Sequence, residues 1–381
     1  MSRLGTLAHR LYSGEVSYDF VGKRRRWYAL SGVIIVLALV GLFGRGLNLG
    51  IEFKGGSEFI VPGTTASVED ARASAQAAGV VDPIVTELGS DKIRIQTPAL
   101  TPTESAKVTA QLSADLRVPQ GDIGVTLVGP SWGGEITKRA VQGLVAFLVL
   151  VVFFLSVYFE WRLAMAALVA LLHDLVITVG IYALTGFEVT PATVIGVLTI
   201  LGFSLYDTVV VFDKVKENTR NITSGNRVTY SEAANLALNQ TLVRSINTSV
   251  VALLPVASIL VVGVGFLGAG TLKDLALALF IGTAAGTYSS IFIATPVACQ
   301  LQERRPEMQA LASRVAARRS GVEAKSGKSR KAGSPGTTAT AVLDADPGAP
   351  TVAEQAKASY VTSTAPRQQP KKNQTRSQRK K

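Results

Sequence analysis

Six apolar runs constrain this chain more than any other feature. Five stretches of about 20 or more mostly apolar residues follow residue 139, and a slightly shorter one precedes residue 48; a helix needs ~20 such residues to cross the hydrocarbon of a bilayer. The fold class read from them is a polytopic α-helical membrane protein with spans at Trp27–Leu47, Ala140–Phe159, Leu163–Phe187, Val189–Phe212, Ser245–Leu267 and Leu275–Cys299. Lys23, Arg24, Arg25 and Arg26 before the first run resemble the start of a signal peptide. Leu42-Phe43-Gly44-Arg45 is a poor cleavage site, however, so a retained first helix is expected.

The formal charge of +12 invites a nucleic-acid reading until it is located. From Glu303 onward there are 17 Lys/Arg against 6 Asp/Glu, so the basic character belongs to the tail and the rest of the chain is nearly neutral. That segment, 300–381, is rich in Ala, Ser, Thr, Pro, Gln and Lys and reads as a disordered basic tail. Its expected partner is anionic lipid, with ribosome or other nucleic-acid contact as the alternative. Cys299 is the lone cysteine, which excludes an internal disulfide and a multi-cysteine metal site.

Lys and Arg near span ends are retained on the cytoplasmic side. Six precede the first span, Arg162, Lys214, Lys216, Arg220 and Arg227 lie in alternate loops, and 17 follow the last span. Both termini are therefore expected in the cytoplasm, with 1–26 as an N-terminal segment. Residues 48–139 then lie outside. This stretch has ordinary soluble composition, with 11 acidic residues from Glu52 to Glu135, and its pattern reads strand, helix, strand, strand, helix, strand. Ser67 with Asp70, and Thr101 with Pro102 and Glu104, mark its helix starts. The order βαββαβ predicts a small ferredoxin-like α+β domain, a fold that names no activity.

Ionisable groups inside a span cost several kcal/mol unless paired or hydrated, so each is a functional candidate. Asp207 lies in GFSLYDTVVVFDKVKEN, ~9 Å inside Asp213 at about 1.5 Å per residue. A carboxylate switched between an unpaired state and a nearby cation takes up and releases a proton. Arg244, in LNQTLVRSINTS, is the expected cation. A static ion pair that fixes helix packing is the competing reading.

His173-Asp174 lies in the middle of ALVALLHDLVITVG. Adjacent helical side chains diverge by about 100°, so one is expected to face the bundle interior and the other a neighbouring helix or its own backbone. A proton relay and a hydrogen-bonded structural pair both remain open. Gly282 and Gly286 form a GxxxG in the sixth run, and Gly196 and Gly202 precede Asp207; all four read as helix packing. Pro255 and Pro296 are expected to kink spans five and six.

These residues closely resemble the SecD–SecF protein-export membrane proteins, on the SecF side of that pair, which are related to the resistance-nodulation-division transporters. The resemblance covers roughly residues 20–300. It rests on LGIEFKGGS (49–57), HD (173–174), GFSLYDTVVVFDKVKEN (202–218) and ALNQTLVRSINTS (237–249). It implies a bacterial cytoplasmic-membrane protein that pairs with SecD and cooperates with the SecYEG channel. Such a protein uses the proton-motive force to complete export of preproteins, and the positions of Asp207 and Arg244 are implicated in proton passage. The family pattern more often has Asn immediately before the aspartate, where this chain has Tyr206.

Two other functions compete. One is a proton-coupled small-molecule exporter of the same superfamily, whose members usually carry twelve spans and two outside domains, so that this chain would be a half-unit. The other is a membrane scaffold recruiting a partner through the basic tail. An enzyme is not expected, and neither is a cofactor or metal. The chain has no Walker-type glycine loop, metal-ligand cluster or nucleophile with a plausible base.

Overall fold

The computed structural model describes residues 17–64, 66–89, 91–266 and 273–331. The first long helix, α1 (Arg24–Gly44), leads to a two-residue strand β1 (Asn48–Leu49) and a one-turn helix α2 (Ile51–Lys54). A sheet unit follows: β2 (Gly56–Pro62), α3 (Val68–Ala77), β3 (Ile84–Leu88), β4 (Lys92–Thr97), α4 (Pro102–Leu116) and β5 (Gly124–Val128). Its strands are antiparallel in the order β3-β4-β2-β5. Alternate residues of the two central strands, Phe59, Val61, Ile93 and Ile95, share one core with Ala71 and Ala75 of α3 and Val108 and Leu112 of α4. Period-two alternation against helical spacing makes that core. Ser67 and Thr101 each accept from the N–H three residues on, while Asp70 and Glu104 accept the cap N–H in return.

The turn into β2 needs its two glycines. Gly55 and Gly56 have φ of +80° and +157°, a region L side chains rarely adopt. A Cβ on Gly55 would stand 2.9 Å from Pro130, and one on Gly56 2.8 Å from the Thr97 carbonyl. The turn thus seats the sheet directly on the start of the next helix.

That helix is α5 (Pro130–Tyr158), followed by α6 (Trp161–Thr185), the two-residue strand β6 (Glu188–Val189) and α7 (Pro191–Asn218). Next come α8 (Tyr230–Ser258), extended as a π-helix over Ile259–Phe266, and α9 (Lys273–Ser289). The latter runs through a π-helical stretch, Ser290–Ala294, into α10 (Thr295–Glu303); α11 (Pro306–Lys331) closes the described chain. Among the described residues six helices are long and apolar enough to cross a membrane, and the chain is a multi-pass helical membrane protein. Strand β6 pairs in parallel with β1, Asn48 to Glu188 and Leu49 to Val189.

Helices α7 and α9 lie side by side in the same direction and set the bundle's register. A Cβ added to Gly196 would stand 2.8 Å from Ala278, one on Gly282 2.3 Å from Ile200, and one on Gly286 2.9 Å from Ser204. These contacts step by four along both helices, a small-residue seam. Gly202 departs from the expected packing role: nothing lies within 4 Å of its position, because it points away from the seam. The two prolines sit beside π-helical stretches, Pro255 four residues before Ile259 and Pro296 just after Ala294.

Several boundaries move for local reasons. The first helix begins at Arg24, within the basic cluster, and ends at Gly44, not Leu47. The second starts at Pro130, ten residues early, because Gly129 and Pro130 supply a helix start. The fourth begins at Pro191 under a Thr190 cap, with Val189 in β6, and continues to Asn218. The fifth begins at Tyr230, where Thr229 and Glu232 form a capping box, so the stretch before Ser245 is helical. Its expected end at Leu267, and the connection over 267–272, fall outside the described residues. The tail also departs from expectation. Residues 306–331 form α11, and Met308, Leu311 and Val315 bury against Tyr230, Ala234 and Leu238 of α8 and Phe20 and Val21 of the N-terminal segment. Those three recur on one helical face, which a polar, basic composition conceals. Residues 332–381 fall outside the described residues.

Candidate functional site

Asp207 lies on the inner face of α7, only 4% exposed. The Ser245 hydroxyl of α8 donates to its Oδ1 at 2.7 Å, and the Ser290 hydroxyl donates to its Oδ2 at 2.5 Å. Among the described residues no lysine or arginine lies within ion-pair distance of it. Two hydroxyls therefore stand where a salt bridge was expected.

Arg244 does not reach Asp207. It is exposed, and its guanidinium donates to the Tyr206 hydroxyl at 3.4 Å. The cause is angular: Ser245 is the α8 residue facing Asp207, and Arg244, about 100° round the helix, faces the neighbouring Tyr206. Tyr206, where the family pattern has Asn, is itself 53% exposed. The pair Tyr206–Arg244 thus sits on the open side of the contact whose buried side is Asp207–Ser245.

His173 and Asp174 are both buried, at 5% and 1% exposure. The imidazole Nδ1 meets Asp174 Oδ1 at 3.1 Å, a pairing between adjacent residues made because both side chains lean toward one polar pocket. Asp174 Oδ2 accepts from Ser204 at 2.5 Å and from Ser289 at 2.7 Å. The His173 ring stacks on Tyr288, whose hydroxyl shares a hydrogen bond with Ser31 of α1 at 3.0 Å. Ser289 and Ser290 are consecutive, so one short segment of α9 serves both carboxylates. It lies where α winding changes to π winding, a transition frequent at functional sites.

The four serines were missed by reading charge alone. Their signal is modest: Ser204 lies three residues before Asp207, and Ser289-Ser290 is an adjacent polar pair in an apolar run. A hydroxyl donates to a carboxylate and accepts from a carboxylic acid, so this pocket satisfies either protonation state. The expected glycines surround it, since Gly282 and Gly286 bring α9 against Ile200 and Ser204.

A second polar site joins the sheet unit to the bundle. Arg94 of β4 donates from Nε to Glu58 at 2.5 Å and from Nη1 to Glu188 at 2.7 Å, and Gln96 donates to Glu188 at 2.7 Å. Burial lowers the Arg94 pKa, but the Glu188 and Glu58 carboxylates more than reverse this and leave it raised. Glu52 lies close by, with Oε2 buried and without a hydrogen-bond partner. Burial raises its pKa, and the Glu188 and Glu58 charges push the same way.

The segments that carried the resemblance are structural partners as well. Asn218 donates to Gln240, and Asn239 accepts the Tyr18 backbone N–H, tying α7, α8 and the N-terminal segment together.

The chain is similar to known protein-export membrane proteins. The family model described as "Protein export membrane protein SecD/SecF, C-terminal" matches residues 108–304, and the "SecD/SecF GG Motif" matches residues 40–66. A protein translocase subunit SecF from Streptomyces coelicolor is 57% identical over 320 residues, covering 84% of this chain and 86% of the relative. Another from Mycobacterium tuberculosis H37Rv is 46% identical over 331 residues, covering 84% of this chain and 75% of the relative. The crystal structure of SecDF, a translocon-associated membrane protein from Thermus thermophilus, superimposes with a TM-score of 0.68 at 29% identity. That match covers 79% of this chain and 42% of the SecDF chain.

Proposed function

Since the chain belongs to the SecD/SecF protein-export family, we propose that it is an auxiliary subunit of the Sec translocase that works with a SecD-type partner. In this reading it draws on the proton-motive force to complete preprotein export through a SecYEG channel. The SecDF comparison supports the pairing, because this chain corresponds to 42% of that longer chain. The Lys/Arg distribution supports both termini in the cytoplasm and the sheet unit outside, and the βαββαβ order with strand order β3-β4-β2-β5 supports reading that unit as ferredoxin-like. The basic stretch beyond α11 fits anionic lipid.

Asp207 is the observation that carries proton coupling. A buried carboxylate held by hydroxyls alone keeps a hydrogen-bond partner whether charged or neutral. Arg244 enters as the cation that sets its state. Arg244 rests on Tyr206 here, and a rotation of α8 by about 100° exchanges Ser245 for Arg244, bringing to Asp207 a cation that favours release of its proton. The same rotation shifts α8 against the Asn235 and Asn239 contacts of the N-terminal segment, passing the change to the rest of the chain.

The test is export into inverted vesicles carrying the full chain and its partner, with and without a proton gradient. Asp207→Asn is expected to abolish the gradient-driven part and to leave membrane insertion and gradient-independent export in place. An Asn variant that responds fully to the gradient removes Asp207 as the carrier. A normal secretory response with a drug-sensitive phenotype would instead favour the small-molecule exporter.

A further inference from the structure

Asp174 is a second buried carboxylate that the mechanism above leaves unused. Among the described residues neither Asp174 nor Asp207 has a lysine or arginine in ion-pair reach, so the group beside either that can become cationic is the His173 imidazole. Asp174 accepts and cannot donate when ionised, which places the ring proton on Nδ1 and makes Nε2 the bare, basic nitrogen. That nitrogen is buried and has no hydrogen-bond partner. Leaving a buried acceptor unpaired carries its desolvation cost uncompensated, and a proton there converts the pair into an imidazolium–carboxylate ion pair. The Tyr288 ring, stacked at 6.0 Å between centroids, offers the imidazolium an aromatic face.

We propose that His173 and Asp174 form a second proton-binding centre, coupled to Asp207 through Ser289 and Ser290. The proton is taken up at Nε2 and released from the same atom, while Nδ1 keeps its own. Each serine hydroxyl commits its single proton to its own carboxylate, so the coupling is not a chain of proton jumps. It runs through charge, since a nearby anion favours imidazolium, and through the shared backbone of two consecutive residues at the edge of a π-helical stretch. The titratable groups facing the ring are Asp174 on its own helix and Tyr288 on α9, with Asp207 on α7 one serine pair away; α1 presents Ser31 to Tyr288.

The inference rests on Asp207 as proton carrier for its purpose, but its readout is separate. The chain contains two histidines, so His9→Gln leaves His173 as the one imidazole. Nitrogen NMR of isotope-labelled histidine in the full chain, reconstituted in liposomes, then reports each ring nitrogen directly. One bare and one protonated nitrogen at alkaline pH, becoming two protonated nitrogens as the sample is acidified, is the expected result. Asp207→Asn should move that transition to lower pH, and Asp174→Asn should move it further. Should Asp174→Asn fail to insert, the double variant Ser289→Ala, Ser290→Ala serves: its transition should respond more weakly to residue 207, because the serine link is lost while the direct charge effect stays.

A ring that keeps one protonation state throughout, or a transition indifferent to Asp207→Asn, overturns the proposal and leaves a structural pair. Lost gradient-driven export in Asp207→Asn beside a silent His173 sinks this inference alone. A titrating His173 that follows residue 207, with export unaffected, supports the second centre and removes the carrier reading.

Discussion

At the junction between sheet and bundle, Glu58 and Glu188 meet the guanidinium of Arg94, whereas inside the bundle Asp174 and Asp207 meet serine hydroxyls. Both arrangements satisfy buried acids, but they differ in what happens when a proton arrives. A guanidinium donates and never accepts, and it does not lose its charge in proteins, so protonating Glu58 or Glu188 would forfeit a charge-assisted bond. A hydroxyl reverses its role at little cost. The junction is therefore built to hold one state, and the bundle pocket to tolerate two.

The largest expected effect breaks the fixed site. Arg94→Met leaves two carboxylates, whose side chains are each 13% exposed, with Gln96 as a donor but without their cation, and unpairing such a site costs about 3 kcal/mol. Chemical denaturation of the purified chain in detergent measures it, and a loss below about 1 kcal/mol would mean the junction is not held by charge. Arg94→Lys should recover only part, since an ammonium lacks the fork that reaches both acids.

A smaller effect is expected at the seam that seats the second site. Gly282→Leu drives a side chain into Ile200, already 2.3 Å from a Cβ there; overpacking of this kind costs about 1–3 kcal/mol. It should also displace Ser289 and Ser290, so gradient-driven export falls while the sheet unit stays folded. Gly202→Ala, facing open space, should stay within about 1 kcal/mol of the parent. Equal losses in the two variants would show that the seam does not position the serines.

The smallest effect concerns pH. Burial raises the folded pKa of Glu52, so its protonated form adds stability that is complete below the unfolded value of about 4.3 and is lost as pH rises through the folded value. Charged Glu52 is thus a cost at neutral pH. Glu52→Gln should raise the melting temperature slightly near neutrality and give no gain in acid. Thermal scans at the two pH values check this; a lower melting temperature at neutral pH would assign Glu52 a favourable partner instead.

Hydropathy makes the middles of the spans legible, because the cost of a polar group there is high. It does not place their ends, which depend on local caps such as Thr229 with Glu232 or Gly129 before Pro130. The helix starts of the sheet unit carry their own cap chemistry and can be read residue by residue. Asp207 stands out through its cost alone, but its partners do not. Whether Ser245 or Arg244 faces it depends on about 100° of helix rotation, a property of three packed helices and not of any one sequence segment. The buried face of α11 is hidden for a related reason: three apolar residues among many basic ones acquire meaning only once α8 is beside them.

The two-residue ladder between β1 and β6 is short, yet it ties the residues just after the first helix to the connection between α6 and α7. Arg94 rivets the sheet to the same connection through Glu188. Asp174 hangs from one of those helices and Asp207 from the other. A torque on the sheet unit is thus delivered to both carboxylate-bearing helices at once, and the sheet becomes a lever arm whose fulcrum lies at Glu188.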